Sequence, residues 1–587
     1  MSLLVLFGRE RRKLVSIRQG NHETDELPQS QYNRRNPRTL AMKPLSLLFC
    51  GAVVWVLFLL ISTTGHIDPP PRAASVLVAE DRIDAAVERV DGWLQKHWTA
   101  EEIQPAGHID DLTLFRRLSL ALHGTIPSLG EVRSFASDTS SDRIDRWLLK
   151  MLDDQRFADY FGERLTRMLV GNDEGAFIVF RRDRLVDWMT QQLRHDRPWS
   201  EIVNQLIAGD GLWTQDGNTN FITAAFVNNE GLNENKLAGK TVRAFLGQRI
   251  DCAQCHDHFF ADWKQTDFEG LAAFYGQARI TPGGVIDRQK ENGQQIVYEV
   301  FEPGSEEGRM VEPTVPFHPE WQATDSSQRE QLASWVVHPD NRRFRRAAAN
   351  RIWGLMFGRA WSEPVDDLPD PGVEHDLLDV LAEQFADHDD SLKFLIRMIA
   401  QSEAFRLRSD DLEVSEEAYN HMEQHWAIFP LARLRPEQVI GSMVQAGNIL
   451  TIDQNSHVFT RFARFTNEND FLKQYGEMPE DELLQQSGTI PQALLRMNGK
   501  FTRNLTKAEL LSSVGLILSF SNTDESIIDN CFLACLTRLP TAEERTTFTN
   551  ELTGIATDEG NHKKARQRAI EDLFWTLFNA PEFSWNH

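Results

Sequence analysis

Three side chains that commonly bind metals or haem lie within five residues of each other. Cys252, Cys255 and His256 form the pattern C-x-x-C-H, and Asp257 and His258 follow directly. Two thiols at this spacing can each add to a vinyl group of one haem, and the adjacent imidazole can then bind the iron. The pattern therefore favours haem c as the cofactor, held by Cys252 and Cys255, with His256 as the iron ligand.

The same side chains suit other kinds of site. Cys252, Cys255 and His258, with His256 or Asp257 in support, offer donors for Zn or Fe without haem, because zinc sites often begin with two cysteines at this spacing. In an oxidising compartment the two cysteines can instead form a disulfide, which leaves a cell-surface scaffold or binding protein without a cofactor. Structural thiols with hydrogen-bonded imidazoles are a further alternative. The residue types alone leave these hypotheses open.

The stretch around the cysteines also resembles a known family. Residues 245–277, FLGQRIDCAQCHDHFFADWKQTDFEGLAAFYGQ, resemble the core of the planctomycete-type cytochrome-like domain, an exported bacterial domain of unknown function. The family core is C-A-x-C-H-D-H-P-F-x-x-W, followed by D-Y/F-x-x-L-A-A-F-F, and Phe259 stands where the family has proline. The resemblance implies a cytochrome-like protein with a role in electron transfer or redox chemistry, and no established reaction.

Other stretches extend the resemblance to most of the chain. Residues 114–132, LFRRLSLALHGTIPSLGEV, resemble the opening motif of the same domain. Residues 329–368 and the closing DLFWTLFNAPEFSWNH resemble the larger domain that accompanies it, which also has no assigned activity. The resemblance implies a cytochrome-like domain over residues 83–278 and a C-terminal domain of unknown function over residues 326–587.

Hydrophobic periodicity predicts the elements that position these residues. Apolar side chains from Ile83 to Leu94 recur at helical spacing, which predicts a helix over residues 81–98. The same pattern predicts helices over 110–122, 129–136, 143–152, 156–170, 182–195 and 200–208. Residues 279–325 are richer in Gly and Pro, and Asn292-Gly293 predicts a hairpin between Ile286 and Phe301. We therefore expect a mainly α fold of two helical domains with a small β insertion between them, behind an N-terminal transmembrane helix.

The N-terminal residues predict a membrane anchor. Residues 1–43 form a basic tail that we expect to be disordered, residues 44–64 contain an uncharged apolar run of the length that a membrane-spanning helix needs, and residues 65–82 form a linker. Basic residues before the run predict a single pass through the bacterial inner membrane, with the N-terminus cytoplasmic and the bulk of the chain periplasmic. An uncleaved signal-anchor is favoured over a cleaved signal peptide, and Met42 is an alternative start to Met1.

Net charge limits the class of partner. The chain carries a formal charge of -24, which excludes nucleic acid as the principal partner. The expected partners are the inner membrane, through the N-terminal helix, and a redox protein. Nucleotide-binding loops, zinc-protease motifs and G-x-S-x-G are absent, and no complete catalytic set lies outside the cysteine-histidine stretch, so the sequence assigns no enzyme activity.

The C-terminal domain contains two clusters of charged residues. Arg342, Arg343, Arg345 and Arg346 offer a clamp for a phosphate or carboxylate, but a basic helix face paired with neighbouring acids is favoured. The second cluster consists of Glu363, Asp366, Asp367 and Asp370. These acids supply oxygen ligands for calcium but lack the spacing of a calcium loop, so helix capping and ion pairing are favoured.

Two further pairs have the residue types of reactive sites. His375 and Asp376 are adjacent, but no nucleophile motif accompanies them. Cys531 and Cys535 lie four residues apart with leucines nearby, which predicts two buried thiols on one helix face rather than a disulfide.

Overall fold

The described part of the chain is mainly helical. A computed structural model describes residues 80–586, except for 172–177, 229, 260, 292–293, 302–306, 373–374, 411–413, 453–493, 495, 498, 510–511 and 556–558. The predicted tail, the membrane anchor at 44–64 and most of the linker lie outside the described residues. No helix within the described ranges combines the length and apolar character needed to cross a membrane.

Helices make up most of the described residues before residue 278. In chain order they are α1 (Glu80–Ala100), α2 (Asp111–His123), α3 (Leu129–Ser137), α4 (Arg143–Asp153), α5 (Gln155–Val170), α6 (Arg182–Arg194), α7 (Trp199–Ala208), α8 (Asn220–Thr223), α9 (Glu234–Leu246) and α10 (Gln265–Ala273). Short 3₁₀ turns lie at Gly217–Thr219 and Asp251–Gln254, and β1 (Phe226–Val227) pairs with β2 (Gly231–Leu232). The seven helices predicted from periodicity are confirmed, with bounds that differ by one or two residues.

Three antiparallel hairpins form the predicted β insertion. They pair β3 (Ala278–Thr281) with β4 (Gly284–Asp287), β5 (Lys290–Glu291) with β6 (Gln294–Gln295), and β7 (Tyr298–Phe301) with β8 (Gly308–Val311). The hairpin predicted around Asn292-Gly293 is therefore confirmed, but it is only two residue pairs long. Ile286 and Phe301 belong to the hairpins on either side of it, because β4 and β7 each have a different partner strand.

The second half of the chain is again helical. Its helices are α11 (Gln328–Val336), α12 (Arg342–Phe357), α13 (Leu377–Asp387), α14 (Leu392–Gln401), α15 (Glu403–Arg406), α16 (Glu416–Gln424), α17 (Pro436–Ala446), α18 (Lys500–Leu505), α19 (Ser513–Phe520), α20 (Asp524–Leu536), α21 (Ala542–Thr553) and α22 (Glu559–Asn579). 3₁₀ turns lie at Pro319–Trp321 and Pro581–Ser584, and β9 (Ala432–Arg433) pairs with β10 (Trp585–Asn586).

The apolar core is continuous through both predicted helical domains. Residues 73–587 form one compact unit, and one cluster of buried side chains extends from Ile83 in α1 to Phe429 beyond α16. A second cluster joins Leu120 of α2 to α17, α20 and α22. The first helices of the chain are therefore packed against its C-terminal half.

Two buried arginines of α2 reinforce this packing. Arg116 donates to the carbonyl oxygen of Cys535 at 3.1 Å, and Arg117 donates to those of Phe405 and Leu407 at 2.5 and 2.9 Å. The Arg117 guanidinium also lies 3.4 Å from the ring centroid of Phe429. Burying a charged group costs several kcal/mol unless hydrogen bonds replace its water, so these carbonyls fix α2 against the C-terminal half.

Candidate functional site

The two motif cysteines lie on a short turn directly after α9. Helix α9 ends at Leu246 and is capped by Gly247, whose φ of 64° lies in the left-handed region that favours glycine. The chain then forms the 3₁₀ turn Asp251–Gln254, in which Ala253 is fully buried and Cys252 is exposed, and the exposed Cys255 follows directly. Side chains three residues apart lie above one another on such a turn, so both thiols face solvent on one side. Neither thiol forms a disulfide in the structure.

His256 follows the second cysteine and is exposed. Its Nδ1 lies 2.8 Å from the carbonyl oxygen of Asp257. A carbonyl oxygen can only accept, so Nδ1 carries the hydrogen and the lone pair is on Nε2. Its ring centroid lies 4.5 Å from that of Phe259, the residue that replaces the family proline. His256 is thus in the tautomer that binds a metal through Nε2.

Asp257 and His258 hold the chain between the turn and α10. The Nδ1 of His258 accepts from the backbone N–H of Ala261 at 3.0 Å, and the backbone N–H of His258 donates to the carbonyl of Trp263 at 2.7 Å. Asp257 Oδ1 accepts from the N–H of Gln265 at 2.9 Å. Both side chains therefore stabilise the loop, and the ligand atoms of Cys252, Cys255 and His258 do not converge on one point in the described structure.

A segment from the C-terminal half anchors the turn. The N–H of Leu368 donates to the carbonyl of Gly247 at 2.6 Å, and Gln248 Nε2 donates to Asp370 Oδ1 at 2.7 Å. Arg249 donates from Nε and Nη2 to one oxygen of Asp366, at 3.0 and 2.7 Å, and from its backbone N–H to Asp367 at 3.1 Å. The position of the cysteines thus depends on residues more than one hundred positions further along the chain.

Asp366 is the centre of this anchor. Its carboxylate is almost fully buried and also pairs with Arg243 of α9. Burial acts to raise the pKa of Asp366, but the hydrogen bonds from Arg249 and Arg243 outweigh it and lower the pKa below its ordinary value. The favoured prediction of ion pairing is confirmed for this part of the acidic cluster.

The arginine cluster of α12 is likewise paired with acids. Its ion pairs are Arg342 with Asp379, Arg343 with Asp370, Arg345 with Asp390, and Arg346 with both Asp376 and Asp379, at 2.5 to 2.7 Å. The predicted paired basic face is confirmed.

The remaining candidate pairs have structural contacts. Asp376 caps α13 by accepting from the N–H of Asp379, and His375 Nδ1 lies 3.3 Å from Glu383 Oε1. Cys531 and Cys535 are free and fully buried on α20, as predicted, and burial raises the pKa of both thiols.

A groove of about 810 Å³ opens beside Cys255, between β2, α10 and the β7–β8 hairpin. Its apolar lining comes from Leu232, Phe268, Val300 and Phe301, and its charged lining from Glu230, Glu234, Glu269, Glu299 and Arg309. Burial raises the pKa of Glu234 and raises that of Tyr298 to about 12.

This volume lies within the range of cofactor pockets. The fit of haem to the groove is incomplete, because His256 does not line it and acids outnumber the single arginine. The fit of the donor set is better, since two exposed thiols on one face and a histidine with Nε2 available are what covalent attachment requires.

A second group of donors was not singled out from the sequence. One ligand atom each of His97, Glu101 and His425 lies within 4.8 Å of the others. His97 and Glu101 are four residues apart, a spacing that places both side chains on one helix face. This spacing was the local sequence signal for a pair of metal ligands. Nothing in the sequence indicates their proximity to His425, which is 328 residues from His97.

Two family models match the chain. PSCyt2, described as a protein of unknown function (DUF1549), matches residues 89–279, and PSD1, described as a protein of unknown function (DUF1553), matches residues 328–552. No curated protein and no solved structure matches it. The cysteine turn lies in the first matched region, and the acids that anchor it lie in the second.

Proposed function

We propose that this chain, whose two matched regions are consistent with a two-domain planctomycete-type family of unknown function, is a membrane-anchored c-type cytochrome-like protein with a role in electron transfer or redox chemistry. One observation carries the proposal. The thiols of Cys252 and Cys255 are exposed on one face of a turn, and the next residue, His256, has its Nε2 available for a metal.

The protein side of haem attachment needs only these residues. Cys252 and Cys255 would hold the haem through thioether bonds, and the addition of a thiol to a vinyl group would need no external oxidant or reductant. His256 would bind the iron through Nε2, while the carbonyl of Asp257 accepts from Nδ1–H and thereby fixes the tautomer and the orientation of the ring. When bound, haem supplies one-electron redox chemistry.

Export and anchoring belong to the same proposal. Residues 44–64 would hold the chain in the bacterial inner membrane, with the cysteine turn on the periplasmic side, where haem is attached covalently and where a redox partner protein would meet it. Reporter fusions after residue 43 and after residue 80 test this topology. An enzyme active only outside the cytoplasm is expected to work in the second fusion alone, and activity in the first would contradict it.

Absorption spectroscopy tests the cofactor. The full chain is produced in a host with active haem-attachment machinery, purified and then denatured. We expect a sharp reduced α-band that stays with the denatured polypeptide, its loss in the double variant Cys252→Ser/Cys255→Ser, and an unchanged band in Lys264→Gln as a surface control.

A colourless wild-type protein would overturn the haem proposal and point to one of the alternatives. Stoichiometric zinc or iron that is lost in the double serine variant would indicate a metal site at the cysteines. A chain with neither metal nor free thiols at positions 252 and 255 would indicate a disulfide in a scaffold or binding protein.

A further inference from the structure

The last turn of α1 and the end of α16 bring two histidines into contact. His97 Nε2 lies 3.1 Å from His425 Nδ1, and Glu101 Oε2 lies 3.9 Å from His425 Nε2. The N–H of Glu101 donates to the carbonyl of His97 at 3.1 Å, which continues the helical hydrogen bonding and keeps both side chains on one face. One ligand atom of each of these three side chains lies within 4.8 Å of the others, so two distant segments bring three donors close together.

The spacing of these donors suits a small transition metal. Two nitrogens bound to tetrahedral zinc at 2.0–2.1 Å are about 3.3 to 3.4 Å apart, so the two histidines need to separate by only a few tenths of an ångström. The Glu101 carboxylate is partly exposed and has the rotational freedom to close on the same point. Two imidazoles and one carboxylate are a common ligand set for zinc.

Neighbouring tryptophans hold the His97 ring and the backbone of His425 in place. The Trp93 ring stacks on His97 with centroids 4.9 Å apart, and Trp98 Nε1 donates to the backbone carbonyl of His425 at 2.9 Å. The site is therefore largely formed before any ligand arrives.

A fourth donor is close by. His421 lies four residues before His425 on α16, and the centroids of the two rings are 4.7 Å apart. His421 is exposed, so its ring can turn toward a metal held by the other three side chains. The arrangement then contains two pairs at helical i, i+4 spacing, one from each half of the chain.

We propose that His97, Glu101 and His425 form a site for a divalent transition metal of the zinc type, with His421 as the nearest further donor. The site links residue 97, in the first matched region, to residue 425, in the second, so a bound metal fastens α1 to the C-terminal half. It shares no residue with the cysteine turn and does not depend on haem.

Zinc binding to the full chain tests the proposal. All measurements use a Cys252→Ser/Cys255→Ser background, which removes the thiols as competing ligands. We expect equilibrium dialysis to find one Zn²⁺ per chain and a higher melting temperature with Zn²⁺ than with chelator. Co²⁺ in place of Zn²⁺ is expected to give the strong visible bands of a four-coordinate site.

Variants of the ligands identify the site. His97→Ala and His425→Ala are each expected to weaken Zn²⁺ binding by more than about 100-fold, since even the loss of a residue that only orients a ligand costs about 10- to 100-fold. The matched control is His338→Ala, because His338 also stacks on a tryptophan, Trp321, and lies 3.7 Å from an acid, Asp340. We expect this control to bind Zn²⁺ as the background does.

Glu101→Gln keeps the test decisive if a histidine variant fails to fold. Glu101 is exposed, so we expect an unchanged melting temperature in chelator and a smaller increase with Zn²⁺. A background protein that binds no Zn²⁺, or equal affinity in His97→Ala, Glu101→Gln and the background, would overturn the proposal and leave a hydrogen-bonded histidine pair. Haem content does not enter any of these results, so they stand or fall independently of the proposed cytochrome function.

Discussion

The chain contains two pairs of cysteines at similar spacing in opposite surroundings. Cys252 and Cys255 are exposed on a turn whose inward residue is Ala253, whereas Cys531 and Cys535 are fully buried in α20. In both pairs the two side chains share one face of a helical turn. What differs is which face the surrounding structure buries, and this decides whether a thiol can react or only pack.

The two pairs are also held in place differently. Cys531 and Cys535 belong to a helix of 13 residues that packs against α19, α21 and α22. In the exposed pair, Cys252 lies on a turn of four residues and Cys255 directly follows it. Residues 248 and 249 before the turn are bonded to Asp366, Asp367 and Asp370. A reactive group on a short turn therefore depends on contacts supplied from elsewhere in the chain.

Alkylation rates should show the largest difference between the pairs. In reduced protein made without haem attachment, we expect iodoacetamide to modify Cys252 and Cys255 at least about 10³-fold faster than Cys531 and Cys535. A buried thiol reacts only when the core opens, and an opening free energy of about 4 kcal/mol gives a factor of this size. Mass spectrometry of the peptides measures each rate, and comparable rates at all four positions would contradict the comparison.

Asp366→Asn should weaken the anchor of the exposed pair. We expect it to lower the free energy of unfolding by about 2 to 3 kcal/mol at neutral pH, because Arg243 and Arg249 lose a charged partner that is itself buried. Urea denaturation measures the effect. Asp367→Asn is the matched control, since an amide oxygen can still accept from the Arg249 N–H.

The pH dependence of this effect has a defined sign. The pKa of Asp366 is lower in the folded chain than its ordinary value, so its contribution is complete above an unfolded pKa of about 3.9 and is lost as the pH falls through the folded value. The difference between wild type and Asp366→Asn should therefore shrink in acid. A constant difference down to the acid limit would show that the charge is not its cause.

Local patterns in the sequence were enough to predict seven helices before residue 209 and the burial of the α20 thiols. The apolar spacing from Ile83 to Leu94 predicted α1, and Cys531 and Cys535 have leucine neighbours on a helical pattern. These features depend on residues only a few positions apart, where periodicity is informative.

The surroundings of the candidate sites could not be predicted in the same way. Arg249 meets Asp366 across 117 positions and His97 meets His425 across 328, and no periodic pattern relates residues so far apart. The exposure of Cys252 and Cys255 depends on Ala253 being the residue that faces the core, which packing decides. The sequence therefore predicted the donors at the cysteine turn but not the partners that hold them.

Serine substitution should lower the free energy of unfolding more at the buried pair of cysteines than at the exposed pair. Cys535→Ser places a hydroxyl in an apolar site, and we expect it to lower the free energy of unfolding by about 1 to 2 kcal/mol, with part of the cost offset by a bond to a carbonyl in the preceding helical turn. The control, Cys252→Ser in haem-free protein, is expected to stay within about 0.5 kcal/mol of wild type because the thiol is exposed. Equal losses in urea denaturation would contradict the assigned burial.

The smallest expected effect concerns the second histidine of the motif. His258 accepts from the N–H of Ala261, so His258→Ala removes one partly exposed hydrogen bond and should cost at most about 1 kcal/mol. We expect this variant to keep its covalent haem, whereas His256→Ala should alter the spectrum because the iron loses a ligand. The opposite outcome is a colourless wild-type protein that binds one metal ion and loses it in His258→Ala. His258 would then be a metal ligand rather than a support of the turn, and the cysteines would belong to a zinc or iron site.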